Sequence, residues 1–200
     1  MLPANNEDDM SYEECTDDLN RVCKDLANAA GDTSILLSDI SDDNLFFETK
    51  AAYAKEMVTG FIKLNGVTVG AIANRTEVYD ADGSVTETYE AVLTNRGAKK
   101  AAEFIQFCDA FNIPVLSLTN VKGFKADTHS ERCIAKAVAQ LTYAFANATV
   151  PKVNVIIGAA YGTAYVAMNS KSIGADMTFA WTDAQIGMMD AKSAARIMYA

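Results

Sequence analysis

Side-chain acid–base catalysis needs titratable residues, and this 200-residue chain has one histidine, His129, and a net charge of only +2 over residues 49–200. His129 stands beside Ser130 and Glu131 ahead of a helix-like stretch, and it reads as a solvated residue with no chemical role. The chain has no Gly-x-Ser-x-Gly elbow, no Gly-x-x-x-x-Gly-Lys phosphate loop and no His-Glu-x-x-His helix, which removes hydrolase, P-loop NTPase and zincin chemistry. Cys15, Cys23, Cys108 and Cys133 form no CxxC pair and have no histidine nearby, so no metal site is expected. What remains is backbone chemistry at two places, Val121-Lys122-Gly123-Phe124 and Ala160-Tyr161-Gly162-Thr163-Ala164. Glycine at 123 and small residues at 162–164 let a substrate oxygen approach main-chain N–H groups closely. The same residues also suit tight packing of a helix on a sheet, and both readings stand at this level.

For such N–H groups to face a ligand, each place must be a junction from the C-terminal end of a strand into a helix, where the first N–H groups lack internal partners. The hydrophobic pattern supplies those elements. Two apolar runs, 61–64 and 67–73, flank Asn65-Gly66, the strongest two-residue hairpin signal. A second turn at Asp80-Ala81-Asp82-Gly83 marks a polar excursion to the surface. Ala98, Ala101, Ala102, Ile105, Cys108 and Phe111 recur at helical spacing and predict a helix over 97–111, with Cys108 as a small buried thiol. A strand over 113–119, a helix over 130–148 and a strand over 152–157 closed by Gly158 come next. A small-residue loop then leads to a short helix over 164–170, a strand over 177–181 and a helix over 190–200. Short strands without clean alternation, joined by crossover helices, imply an α/β fold whose parallel sheet is covered on both faces. The pattern stops in mid-helix at Ala200, so the domain is expected to be truncated there.

Charge is unevenly spread. Residues 1–48 carry 13 Asp/Glu against 2 Lys/Arg, so that segment is at −11 while the whole chain is at −9. The acidic leader and the lack of a basic stripe argue against nucleic acid and anionic membrane surfaces as partners. No apolar run reaches the roughly 20 residues of a membrane span, and the start of the chain lacks a secretory pattern, so a cytoplasmic protein with reduced cysteines is expected. Cys15, Leu19, Val22, Cys23 and Leu26 could line one amphipathic helix, which makes 1–45 an acidic linker plus entry helix ahead of a main domain over 46–200.

Three stretches carry a resemblance: 101–115, 148–153 and 160–168, extended by Ser170-Lys171-Ser172-Ile173-Gly174-Ala175-Asp176 and Ala180-Trp181. Together they resemble the biotin-dependent acyl-CoA carboxyltransferase family, of the acetyl- or propionyl-CoA carboxylase beta-subunit or methylmalonyl-CoA decarboxylase alpha-subunit type. Leu2-Pro3-Ala4-Asn5-Asn6 is similar to the linker between the two halves of such subunits, and the chain resembles the C-terminal half. The resemblance implies a crotonase-type (ClpP/crotonase) fold in which the N-terminal half binds acyl-CoA and this half binds biotin on a separate carrier protein or domain. It implies partners as well: an N-terminal carboxyltransferase half, a biotin carboxyl carrier protein and other copies in an oligomer. The family's Gly-Gly-Ala turn maps onto Gly162-Thr163-Ala164, making the Thr163 and Ala164 N–H groups the implied oxyanion hole, with Thr163 replacing a glycine. Its Pro-Gly-Phe turn maps onto Lys122-Gly123-Phe124, so Gly123, Phe124, Tyr161 and Gly162 are implied biotin or substrate contacts. Val166 matches a position linked to acyl-chain choice, and as an aliphatic residue suits a short apolar acyl group. The resemblance implies a reaction that runs either as carboxylation or as decarboxylation coupled to a sodium pump, and a non-catalytic scaffold that keeps the fold is the remaining alternative.

Overall fold

The computed structural model describes residues 18, 21–23, 26–80 and 82–199. The linker-like stretch 2–6, together with Cys15 and Leu19 of the expected entry helix, lies outside them; Val22 and Cys23 are described outside any helix, and Leu26 opens α1 (Leu26–Ala29). Next come α2 (Thr33–Ile40), β1 (Phe46–Thr49), β2 (Met57–Leu64) and β3 (Val67–Asn74). Asn65 and Gly66 take positive φ of 52° and 78°, the primed turn their types predict, and it folds β3 back onto β2 in antiparallel register. The surface excursion is a separate two-stranded sheet of β4 (Glu77–Tyr79) and β5 (Val85–Thr88), whose turn is held by Asp80 Oδ1 accepting from Ser84 N–H at 2.9 Å.

The main sheet has the order β1-β2-β3-β6-β7-β8, where β6 is Val115–Val121, β7 Lys152–Tyr161 and β8 Met177–Ala180; β9 (Gln185–Gly187) also pairs with β7. β3, β6, β7, β8 and β9 run parallel, as expected, but β1–β2–β3 is an antiparallel meander. The sheet is therefore mixed, because a two-residue turn can only return a strand antiparallel to its predecessor. Alternate residues feed two cores. Ile72 and Val115 face α3 (Asn95–Ala110), α4 (Thr128–Asn147) and α5 (Gly162–Ala167), while Ala71, Ala73 and Leu118 face Leu36 and Leu37 of α2. Burial on both faces is why these strands lack polar alternation, and the acidic leader thus supplies core residues through α2.

Local chemistry sets the helix ends. Thr94 caps α3 by accepting from Gly97 N–H at 2.9 Å, and Asp127 caps α4 by accepting from Ser130 N–H at 2.7 Å. Each helix thus begins two residues before the periodicity suggests. Lys152 reaches from β7 to cap the other end of α4, its Nζ donating to Phe145 O and Ala148 O at 2.8 Å. The spacing puts Phe111 on the buried face of α3, yet it is 64% exposed, because the helix ends at Ala110 and Asn112 turns the chain with φ 55°. Its ring stacks on Phe107 at 4.6 Å. Gly60 is needed for space: a Cβ there would stand 2.4 Å from the backbone oxygen of Phe47 on β1. Since a backbone oxygen in a paired strand cannot swing aside, Gly60→Ala is expected to cost about 3 kcal/mol. The check is a lower urea midpoint at unchanged denaturant slope; a midpoint like the parent's would show that β1 gives way freely.

At the C-terminal side, α6 (Ala191–Met198), β8 and β9 leave Met177, Phe179, Ile186, Met188, Ile197 and Met198 exposed. Among the described residues no helix is long and apolar enough to cross a membrane.

Candidate functional site

β6 and β7 are parallel neighbours, with Val121 opposite Ala160, so the segments beyond them leave the same edge of the sheet side by side. Gly123 and Phe124 come after β6, Gly162 comes after β7, and the two turns singled out by residue type are brought together. The Gly123 segment is pinned from its far side: Lys122 N–H donates to Ala91 O at 2.7 Å, and Gly123 O accepts from Leu93 N–H at 2.8 Å. A Cβ on Gly123 would meet nothing within 4 Å, so the backbone there fronts open space. Phe124 is half-buried and packs against the α3–α4 core.

The Gly162 segment differs from expectation in one respect. Gly158 does not end the strand; β7 continues to Tyr161 and enters α5 without an intervening loop. Gly162 has φ +57°, a left-handed conformation that side-chain-bearing residues rarely adopt, and a Cβ there would stand 3.2 Å from Met188 O. Tyr161 is 7% exposed and its hydroxyl donates to Gln185 Oε1 at 2.5 Å, tying the turn to β9. Thr163 points to solvent, Ala164 is buried at 1% exposure in the core, and Val166 is half-buried one turn on. Tyr161, at the N-cap of α5, makes no side-chain capping bond and so leaves the first-turn N–H groups without that partner. Tyr165, half-buried against the core, has its phenol pKa raised by burial.

Beneath the turns lies a buried polar layer. Thr119 Oγ1 donates to Asn154 Oδ1 at 2.8 Å, and Asn169 Nδ2 donates to Ser117 Oγ at 2.9 Å, joining β6, β7 and the end of α5. Asn120 makes a second polar link at the sheet edge: its N–H donates to Asn74 Oδ1 at 3.1 Å, and its Oδ1 accepts from Ala159 N–H at 3.0 Å. Asn120, Gln185 and Met188 escaped sequence reasoning. The available signal was the polar Asn74 and Asn120 within otherwise apolar strands, since a buried amide needs a specific partner.

A cleft of about 620 Å³ lies next to this edge, walled by Glu56, Tyr89, Asn95, Lys125 and His129 among others. It does not include 162–164; Lys125, two residues beyond Gly123, is where it meets the rim. Its charges are mixed, with Lys55 paired to Glu87, and Tyr89 has its phenol pushed up to about 12, chiefly by burial. Among the described residues no group of His, Cys, Asp and Glu could hold a metal ion.

A parallel core bearing two glycine turns at its strand ends, backed by crossover helices, is the crotonase-like α/β architecture. The carboxyl transferase domain model matches residues 1–200. The chain is 38% identical to the propionyl-CoA carboxylase beta chain of Roseobacter denitrificans over 207 residues, covering 100% of this chain and 39% of that protein. It is 35% identical to the methylmalonyl-CoA carboxyltransferase 12S subunit of Propionibacterium freudenreichii, covering 100% and 37%. Among solved structures it overlays on transcarboxylase 12S, described as a hexamer with hydrolysed methylmalonyl-coenzyme A bound, at TM-score 0.82 and 35% identity over 99% of this chain and 39% of that one. The beta subunit of P. aeruginosa geranyl-CoA carboxylase matches at TM-score 0.68 and 30% identity, over 80% and 28%. The chain belongs to the carboxyl transferase domain family, and it spans under two fifths of the length of these relatives.

Proposed function

We propose that this chain is the biotin-side, C-terminal half of a biotin-dependent acyl-CoA carboxyltransferase, with 46–200 as its domain, moving a carboxyl group between a carried biotin and a short-chain acyl-CoA. The observation that carries this reading is the α5 turn: uncapped N–H groups behind a left-handed glycine, at the sheet edge shared with Gly123. Biotin would supply a ureido group that carries the transferred carboxyl. The N–H groups of Thr163 and Ala164 would hold the ureido oxygen, and fixed dipoles of this kind stabilise negative charge without a titrating side chain. The turn fits that group: Gly162 has no side chain, and Thr163 projects outward, so its loss of a family glycine leaves the donor in place. Tyr161, anchored through Gln185, would hold the turn; Gly123 and Phe124 would form the opposite rim, and the resemblance assigns Val166 to the acyl side. The N-terminal half, a biotin carboxyl carrier protein and further copies of the subunit complete the working assembly.

The test mixes this chain with a separately expressed N-terminal half, free biotin, and malonyl-CoA or methylmalonyl-CoA, and monitors carboxyl transfer. Activity is expected only from the mixture. Turnover by the 200-residue protein alone would sink the two-half reading, and silence of the mixture would favour a scaffold.

A further inference from the structure

We infer that Asn120 is a positioning residue for the turn at Gly162–Ala164, an inference that rests on reading this turn as the oxyanion-binding element. The β6–β7 ladder is regular from Val115↔Lys152 to Thr119↔Ile156 and then breaks. From there to the next pair, Val121↔Ala160, β6 advances two residues while β7 advances four. The extra length of β7 forms a bulge, which bends the strand and re-aims the chain downstream of it. That downstream chain is Ala160-Tyr161-Gly162 and the first turn of α5.

A bulge leaves main-chain groups without ladder partners, and Asn120 supplies one. Its Oδ1 takes Ala159 N–H at 3.0 Å, while its own N–H is held by Asn74 Oδ1 at 3.1 Å, and Asn74 is itself 4% exposed at the end of β3. The bulge is thereby referenced through β6 to β3. Gly158 is the complementary part of the device: a Cβ there would lie 2.6 Å from Asn120 Oδ1, so only glycine leaves the amide its seat. Three residues far apart in the chain thus set the height at which the Thr163 and Ala164 N–H groups leave the sheet edge. Asn120 acts on them through Ala159, without touching a ligand.

The test uses the full chain and records amide resonances of wild type, Asn120→Leu, which keeps the size but removes the acceptor, and Asn120→Asp, which keeps it. Without ligand, Asn120→Leu is expected to shift the signals of Gly162, Thr163 and Ala164 while those of Leu141 and Phe145 in α4 stay in place, and Asn120→Asp is expected to restore them. In a titration with free biotin, the response at Thr163 and Ala164 should weaken about tenfold in Asn120→Leu and return in Asn120→Asp, the effect of moving one neutral donor out of hydrogen-bond reach of the ligand. Unmoved 162–164 signals in ligand-free Asn120→Leu, with Ala159 N–H exchange confirming that its bond is gone, overturn the inference. A wild type whose Thr163 and Ala164 amides ignore biotin overturns the oxyanion reading instead, and the ligand-free comparison still decides the role of Asn120.

Discussion

Ala164→Pro in the assembled enzyme is expected to lower carboxyl transfer on the order of 10²–10³-fold, roughly 3–4 kcal/mol of barrier, while Thr163→Gly keeps or raises it. Proline at 164 removes one of the two assigned N–H donors, whereas glycine at 163 retains the other and removes a β-branch. Backbone position alone would let proline into the first turn of α5 without harm. The side chain at 164, however, is packed in the core at 1% exposure, so the added ring methylenes should cost about 1–3 kcal/mol of stability. The comparison therefore has to be made well below the melting midpoint of both proteins, where each is folded. Ala164→Pro that is folded and transfers at the parent rate would end the assignment of the oxyanion hole to this turn and leave Gly162-Thr163-Ala164 as packing residues.

The second large effect concerns stability. Lys100 on α3 is 1% exposed, with its Nζ donating to Tyr53 O at 2.8 Å and Ala54 O at 3.4 Å. Burial pulls its pKa from 10.5 down to about 8, helped by Arg75 and Lys50 and opposed by Glu48 and Glu56. Between those values the unfolded chain holds a proton that the folded chain does not, so stability rises with pH across that window. At about 1.4 kcal/mol per pH unit the gain is bounded near 3 kcal/mol. Cys108 works the other way: burial raises its thiol from 9.0 to about 12, so the unfolded chain sheds that proton first and stability falls between those values. Wild type alone would therefore show a blunted profile. The difference between wild type and Lys100→Met isolates the lysine, and it should grow in favour of wild type from pH 8 to 10.5. Urea unfolding at each pH measures it; a flat difference would mean that the two carbonyls hold Lys100 charged throughout.

Local features of this protein were legible in its sequence because each depends on near neighbours. Asn65-Gly66 specifies a hairpin wherever it falls between apolar runs, and Ala98, Ala101, Ile105 and Cys108 specify a buried helix face by spacing alone. The candidate turns were legible as glycines after apolar runs, and their likeness to a family supplied roles that composition could not. Element ends were less legible, since Thr94 and Asp127 extend α3 and α4 through caps that periodicity ignores.

The tertiary structure decided how those parts meet. That Gly123 and Gly162 share one sheet edge is a consequence of β6 and β7 pairing in parallel, and the break in their register decides where Gly162 leaves that edge. Gly158 looks like a strand end because glycine usually weakens strands; it sits inside β7 because an amide 38 positions earlier needs the room, a contact that no local window contains. β9 and Met188 flank the turn for the same reason: pairing with β7 places them there, though their own stretch is short and exposed. The sequence by itself determined the hairpin, the buried helix faces and the glycines that follow apolar runs, because propensity and spacing act over a few residues. Only the folded chain decided the register, the bulge and the neighbours of the turn, because those arise from contacts between segments dozens of residues apart.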